Sequence, residues 1–257
     1  MLRLFDASGR APEPVDPPES IYDAIRWPAA PEDRPYVALN MVTTVDGKAT
    51  LLRGRHRRPI GSAVDRALMV RLRAWVGAVV RGAGTVRQAP YYPSLPEGVP
   101  DRRRQAGLDP LPLVVILSSS GSLPTEVPLF RQAPRRPVVF TGPGAAPETL
   151  RRLREVADVL PVPVTGPDSI RWVLRTLRSR WGVQAVLSEG GPTLNSAFFR
   201  AGCVDELFWT VAPRIAGTSD DLSLVEGQGL IDPMPTLRLQ SAHLHEDELY
   251  LRYRVLP

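Results

Sequence analysis

Short, wholly apolar runs alternating with helix-like stretches constrain this chain more than any other feature. Val76-Gly77-Ala78-Val79-Val80, Leu113-Val114-Val115-Ile116-Leu117, Pro137-Val138-Val139-Phe140 and Gln184-Ala185-Val186-Leu187 are each too short for helices. Each is also too uniformly apolar for a strand with one wet face. Strands of this kind are buried on both faces, which requires a mostly parallel sheet with helices packed on either side. Tyr36–Met41 reads as a further strand. Between the strands, Ser62 precedes a helix bearing Val64, Leu68, Met69 and Leu72 on one face, and Asp168 precedes a helix that reaches Arg180.

The pattern changes at both ends. Pro12, Pro14, Pro17, Pro18, Pro28, Pro31 and Pro35 make residues 1–35 a proline-rich arm, with a short helix expected from Ser20 and with Tyr22 and Trp27 free to dock. Residues 36–257 then form a single domain. After Cys203, Glu206–Val211 reads as a long strand, and the segments either side of Glu246-Asp247-Glu248 read as a hairpin. The expected architecture is α/β, a parallel sheet finished by an antiparallel C-terminal edge.

The inventory of reactive side chains narrows the chemistry. Cys203 is the only cysteine, and His56, His243 and His245 are the only histidines. Disulfides, cysteine–zinc clusters and Ser–His–Asp or Cys–His catalysis are therefore not expected, and no metal site is assigned. His243 and His245, two apart on a hairpin strand, read as a surface or interface pair. No apolar stretch is long enough to span a bilayer, and Met1–Asp6 lacks the apolar segment of a secretory signal, so a cytoplasmic protein without membrane contact is expected. The formal net charge is +5, and Lys48 is the only lysine. The arginine cluster Arg53–Arg58 has no interleaved aromatics, which favours a loop holding small-molecule phosphate over a nucleic-acid surface.

Three loops follow strands and should meet at the carboxyl ends of a parallel sheet: residues 42–58, 82–90 and 188–195. In the last, Ser188-Glu189-Gly190-Gly191-Pro192-Thr193-Leu194-Asn195 takes a strand through paired glycines into a helix. Proline suits the first helical turn, and free N–H groups at such a helix start favour phosphate. Glu189 would stand at its lip. Read alone, a tight strand-to-helix connection fits the segment equally well. Gly82-Ala83-Gly84-Thr85 lacks the third glycine of a dinucleotide fingerprint, and no acidic residue ends the next strand; if a nicotinamide cofactor binds, that second absence and the nearby arginines favour its 2′-phosphorylated form. Thr43-Thr44-Val45-Asp46-Gly47-Lys48 sets a carboxylate and the one lysine two residues apart at a strand end. Hydride transfer, which needs positioning and a proton donor but no nucleophile, fits this inventory.

Taken in order, Tyr36–Asn40, Val45–Lys48, Arg71-Leu72-Arg73-Ala74, Gly82–Val86, Glu189–Asn195, Val204–Leu207 and Ala212–Gly217 resemble the pyrimidine reductase of riboflavin biosynthesis. That reductase is the C-terminal half of the bacterial bifunctional deaminase-reductase, and the resemblance covers about residues 36–255. It implies a dihydrofolate-reductase-like fold, a homodimer, NADPH as cofactor, and reduction of the ribosyl group of 5-amino-6-(5-phosphoribosylamino)uracil, or its diamino-pyrimidinone analogue, to a ribityl chain. By the resemblance, Val42, Thr44, Gly82, Gly84, Thr85, Ser118, Gly190, Gly191, Pro192, Thr193, Leu194 and Asn195 contact the cofactor. Asn40, Arg73 and Glu189 face the substrate, and Asp46, Lys48 and Glu189 are the catalytic candidates. One departure stands out: Arg87-Gln88-Ala89-Pro90 occupies the place of the family's usual acidic pair before proline. It keeps a same-fold reductase acting on another heterocycle, such as a dihydropterin or dihydrofolate, as the alternative. A non-catalytic nucleotide- or nucleic-acid-binding protein is the third reading. One cysteine cannot supply the deaminase zinc signature, so no deaminase half is expected.

Overall fold

The structure, a computed structural model, describes residues 1–23, 25–50 and 59–256. The strands are β1 (Leu2–Asp6), β2 (Glu13–Pro14), β3 (Tyr36–Thr44), β4 (Ala78–Gly82), β5 (Leu113–Ser118), β6 (Val138–Thr141), β7 (Asp158–Pro161), β8 (Ala185–Ser188), β9 (Glu206–Ala212), β10 (Leu237–His245) and β11 (Glu248–Val255). The helices are α1 (Ala63–Arg73), α2 (Ala83–Gln88), α3 (Val99–Gln105), α4 (Pro128–Arg131), α5 (Pro147–Val156), α6 (Pro167–Trp181) and α7 (Pro192–Arg200). All strands join one sheet in the order β2-β1-β10-β11-β9-β3-β8-β4-β5-β6-β7. Pairing is parallel from β9 through β3, β8, β4, β5 and β6 to β7, and antiparallel from β9 outward through β11, β10 and β1 to β2.

The apolar runs are buried on both faces, as their composition requires. Val37, Leu39, Ala78, Val80, Leu113 and Val115 point to one face, where Ile170, Val173, Leu174 and Leu177 of α6 and Phe198 of α7 cover them. Their neighbours Tyr36, Ala38 and Val79 point the other way, against Leu68 and Leu72 of α1. Val114, Ile116 and Val139 meet Val86, Leu129 and Leu153 on that same side. The period of two along each strand divides one set of apolar residues between two cores.

Ser62 caps α1 as expected, its hydroxyl accepting from the Asp65 N–H at 3.1 Å. For α6 the cap is Gly166, with Pro167 opening the helix and Asp168 in its first turn. The expected hairpin is β10–β11, closed by Glu246 and Asp247, both at positive φ, as a two-residue turn between twisted strands requires. His243 differs from expectation: it is buried rather than at the surface, and burial pushes its pKa down to about 4. Within the proline-rich N-terminal stretch, Leu2–Asp6 adds a strand beside β10. The short helical turn there runs Pro18–Tyr22, beginning before Ser20 and without a side-chain cap. Tyr22 packs edge-on against Phe208 at 5.1 Å, and the Trp27 indole donates to the Trp75 carbonyl at 2.7 Å.

Candidate active site

At the carboxyl ends of the parallel strands lies a cleft of about 870 Å³. It collects the ends of β3 (Asn40, Met41, Val42), β4 (Gly82), β5 (Ser118) and β6 (Thr141), together with the turn Glu189–Leu194 after β8. The three expected loops do converge, since Ala49 and Thr50, Gly84, Thr85 and Gln88, and Gly190–Leu194 share this lining. Gly142, Pro143 and the segment Val162–Ser169 extend it beyond what sequence reasoning had marked. From β3 to β6 is four strand steps, or roughly 19 Å at the spacing of a sheet. That reach, with a cavity in the usual range for cofactor sites, suits an extended ligand rather than a compact one.

The glycine turn is built for a close approach. Gly191 is extended at φ −73°, and a side chain there would find only the Thr85 hydroxyl near it, at 3.7 Å. At Gly190 a Cβ would instead strike Leu194 at 2.4 Å, so this glycine serves the packing of the turn itself. Leu194 and Asn195 donate back to the Gly191 carbonyl. Among the described residues, no protein acceptor meets the N–H of Gly191 or Thr193. Such donors at a helix start are what a phosphate group takes up.

Glu189 lies in the cleft floor, not at a lip. Its side chain is 6% exposed. Arg73 reaches it with Nε at 2.5 Å and Nη2 at 2.9 Å, and Arg81 with Nε at 3.2 Å and Nη2 at 2.9 Å. Burial alone would raise the Glu189 pKa, but the two guanidiniums outweigh it and hold the carboxyl below its ordinary value. The group is an ionised acceptor. Arg73, expected to face substrate, is buried with its guanidinium committed to Glu189. Arg81 was missed. An arginine ending an otherwise apolar buried strand is the signal that could have found it, because such a charge requires a buried partner.

Besides Arg73, four expected site residues lie outside the lining. The Asp46 carboxylate accepts from the Thr44 hydroxyl at 2.6 Å and from the N–H groups of Ala216 and Gly217 at 3.0 and 2.8 Å, and these bonds hold its pKa far below the ordinary carboxylate value. Lys48 donates to the Asp221 carbonyl at 3.0 Å. Thr44 is buried and bonded within this turn, accepting from the Lys48 N–H at 3.0 Å. The Asp46–Lys48 turn thus fastens the loop after β9 instead of presenting acid and base to the cleft. Asn195 is also buried, its amide donating to the Leu224 carbonyl at 2.9 Å. The cluster Arg53–Arg58 falls outside the described residues; among those described, Arg87 is the arginine of the lining.

Asp65, which sequence reasoning passed over as a helix residue, does line the cleft. Its carboxyl faces Thr210 on β9, and burial is the main reason its pKa rises to about 6. Nearby Glu248 adds to that rise, while Thr210 and Arg66 oppose it. Among the described residues, no group of histidine, cysteine and carboxylates is arranged to hold a metal ion, and no helix is long and apolar enough to cross a membrane.

The sequence model of the RibD C-terminal domain matches residues 35–249. The chain belongs to that family. It is 32% identical over 226 residues to the 2,5-diamino-6-ribosylamino-4(3H)-pyrimidinone 5′-phosphate reductase of Methanothermobacter thermautotrophicus, covering 86% of this chain and 99% of that one. The protein of the same name from Aquifex aeolicus is 28% identical over 232 residues, 87% and 98% of the two chains. Among solved structures, a pyrimidine reductase-like protein of Corynebacterium diphtheriae superposes with a TM-score of 0.78 at 26% identity, covering 93% of this chain and 99% of that one. The Thermotoga maritima deaminase/reductase superposes at 0.65 and 26% identity, with 87% of this chain on 57% of that longer one. The family's members are riboflavin-biosynthesis pyrimidine reductases, and this chain is an oxidoreductase of that kind with their α/β fold.

Proposed function

We propose that the chain reduces the ribosyl group of 5-amino-6-(5-phosphoribosylamino)uracil, or of its diamino-pyrimidinone analogue, to the ribityl chain, with NADPH as reductant. The observation that carries this reading is the long cleft at the strand ends, which the family's glycine turn closes on one side. The residues present fit a dinucleotide: Gly191 opens toward the cleft, and the unbonded N–H groups of Gly191 and Thr193 offer a seat for its pyrophosphate. Val42, Gly82, Gly84, Thr85, Ser118 and the turn Gly190–Leu194 would hold it, and when bound it supplies the hydride. The carboxyl groups among the described lining residues are Asp65 and Glu189, both at the β3–β8 side of the cleft. None stands beside Ser118–Ser120 to hold a ribose 2′-hydroxyl, which supports the 2′-phosphorylated cofactor.

The substrate then occupies the end formed by Asn40, Met41, Thr50, Asp65 and Met69. Glu189 acts on it indirectly, fixing Arg73 and Arg81 beneath the site. A homodimer working in the cytoplasm belongs to the same reading, and sedimentation velocity tests the dimer. The decisive measurement is oxidation of NADPH on adding each of the two ribosylamino-pyrimidines. Turnover with either supports the reading; turnover only with a dihydropterin would replace it by the alternative that Gln88, in the cleft wall, keeps open.

A further inference from the structure

We propose that Asp65 is the acid of this cleft, its carboxyl delivering the proton that accompanies hydride transfer to the substrate. The inference rests on the reductase reading and adds to it the residue that completes the reaction. Among the described lining residues the ionisable side chains are Asp65, Arg87 and Glu189. A guanidinium does not release its proton near neutrality. Glu189 is held ionised by two arginines and can only accept. Asp65 is what remains.

The local geometry explains why this carboxyl is available. Asp65 sits three residues after the cap Ser62, where an acidic side chain commonly reaches back to the cap N–H. Here that N–H donates to Glu248 at 3.2 Å, and the Ser62 hydroxyl donates to the same carboxylate at 2.5 Å. The Asp65 side chain is therefore released from the capping box and turned toward Thr210 and the cleft. The charged and titratable groups facing it are Glu248 and Tyr250 from β11, Arg66 from its own helix and Tyr22 from the N-terminal segment. Glu248 is close enough to disfavour a second negative charge, and Tyr250 donates to Glu248 rather than to Asp65. Two cleft carboxyls are thus driven in opposite directions, the arrangement that separates an acid from a fixed anion. The chain also lacks a carboxylate at Gln88-Ala89, and Asp65 supplies one from another element.

The step balances. The hydride forms a C–H bond at the imine carbon of the ring-opened ribosylamine, and the C=N π pair moves to nitrogen. An N–H bond forms there as the Asp65 O–H bond breaks. The nicotinamide is oxidised, the imine is reduced to an amine, and the Asp65 carboxylate recovers its proton from water.

The test compares wild type, Asp65→Asn and Asp65→Glu on 5-amino-6-(5-phosphoribosylamino)uracil. For Asp65→Asn we expect kcat to fall about 10²- to 10³-fold, the size of a lost general acid, with NADPH affinity unchanged. Wild-type kcat should decline as pH rises through the Asp65 pKa in the complex, and that limb should vanish in Asp65→Asn. Asp65→Glu should restore part of the rate and the limb, which also shows that the site tolerates replacement. Independently of turnover, calorimetry of substrate binding to the NADP⁺ complex in two buffers of different ionisation enthalpy should show proton uptake in wild type and none in Asp65→Asn. Near-wild-type kcat with an unchanged pH limb in Asp65→Asn overturns the proposal alone. A wild type that binds NADPH yet leaves the ribosylamino-pyrimidine unreduced overturns the reductase reading and this inference with it.

Discussion

Glu189 and Asp65 open onto one cleft and are treated in opposite ways. Glu189 ends a parallel strand in the middle of the sheet, where two arginines converge on it from α1 and β4. Asp65 lies where α1 meets the antiparallel half, beside Glu248, Tyr250 and Thr210, where the repulsion of Glu248 outweighs the attraction of Arg66. The surroundings of Glu189 stabilise a buried charge, and those of Asp65 resist one. A carboxyl is a fixed anion or a proton source according to the charges that face it.

The strongest way to break this contrast is to remove the anion from the parallel half. Glu189→Leu leaves Arg73 and Arg81 facing each other in the cleft floor. Urea unfolding should show a loss of about 3–5 kcal/mol, the cost of stranding buried charge. Glu189→Gln, which keeps an acceptor oxygen, should lose less. A leucine variant as stable as wild type would mean that the arginines are solvated and that the surroundings of the two carboxyls do not differ.

The paired glycines sharpen the comparison next, because they separate folding from binding within one turn. Gly191→Val should leave stability near wild type yet weaken NADPH binding more than about 100-fold, since the new side chain points into the space meant for ligand. Gly190→Ala should do the reverse, lowering the unfolding midpoint because its Cβ meets Leu194. Fluorescence titration and urea melts on both variants measure the two effects. Equal losses of affinity would show that Gly191 does not face a ligand.

The pH dependence of stability tests the antiparallel half directly. Asp65 rises from 3.8 toward about 6 on folding, so between those values the native state binds more protons than the unfolded chain. Its contribution is full below the unfolded value and is lost as pH climbs through the folded one, a change of about 2 kcal/mol or less after allowing for its partial exposure. Asp65→Asn should remove that slope between pH 4 and 6.5. His243 has the opposite sign, since burial lowers its pKa to about 4 and its contribution is lost as pH falls below 6.5. The difference between wild type and Asp65→Asn isolates the aspartate from it.

Much of the fold was legible because burial on both faces writes itself into composition. Val79, Val115 and Val186 leave no alternative to a covered parallel strand. The convergence of the loops at Val42, Thr85 and Gly191 followed from topology alone. The site's electrostatics did not follow. Arg81 and Asp65 acquire their roles from Glu189, Thr210 and Glu248, which lie far along the chain, and no local pattern marks such pairings. Leu2–Asp6 hid for a related reason: a short strand of mixed exposure has neither an apolar run nor clean alternation.

Asp46 shows how rarity misleads, and it gives the prediction of smallest effect. Its neighbour Lys48 drew notice as the one lysine among arginines, yet both side chains fasten the segment after β9. Thr44, Ala216 and Gly217 together supply three donors to the Asp46 carboxylate, which favour its ionised form, so near neutral pH it has no proton to give. Asp46→Asn keeps one acceptor oxygen for these donors. It should lower the melting temperature only slightly and leave both kcat and its pH limb as in wild type, read from the same NADPH-oxidation assay. If the limb disappeared in Asp46→Asn and survived in Asp65→Asn, the acid would belong to the strand-end turn, and the assignment of the two cleft carboxyls to opposite halves of the sheet would lose its functional meaning.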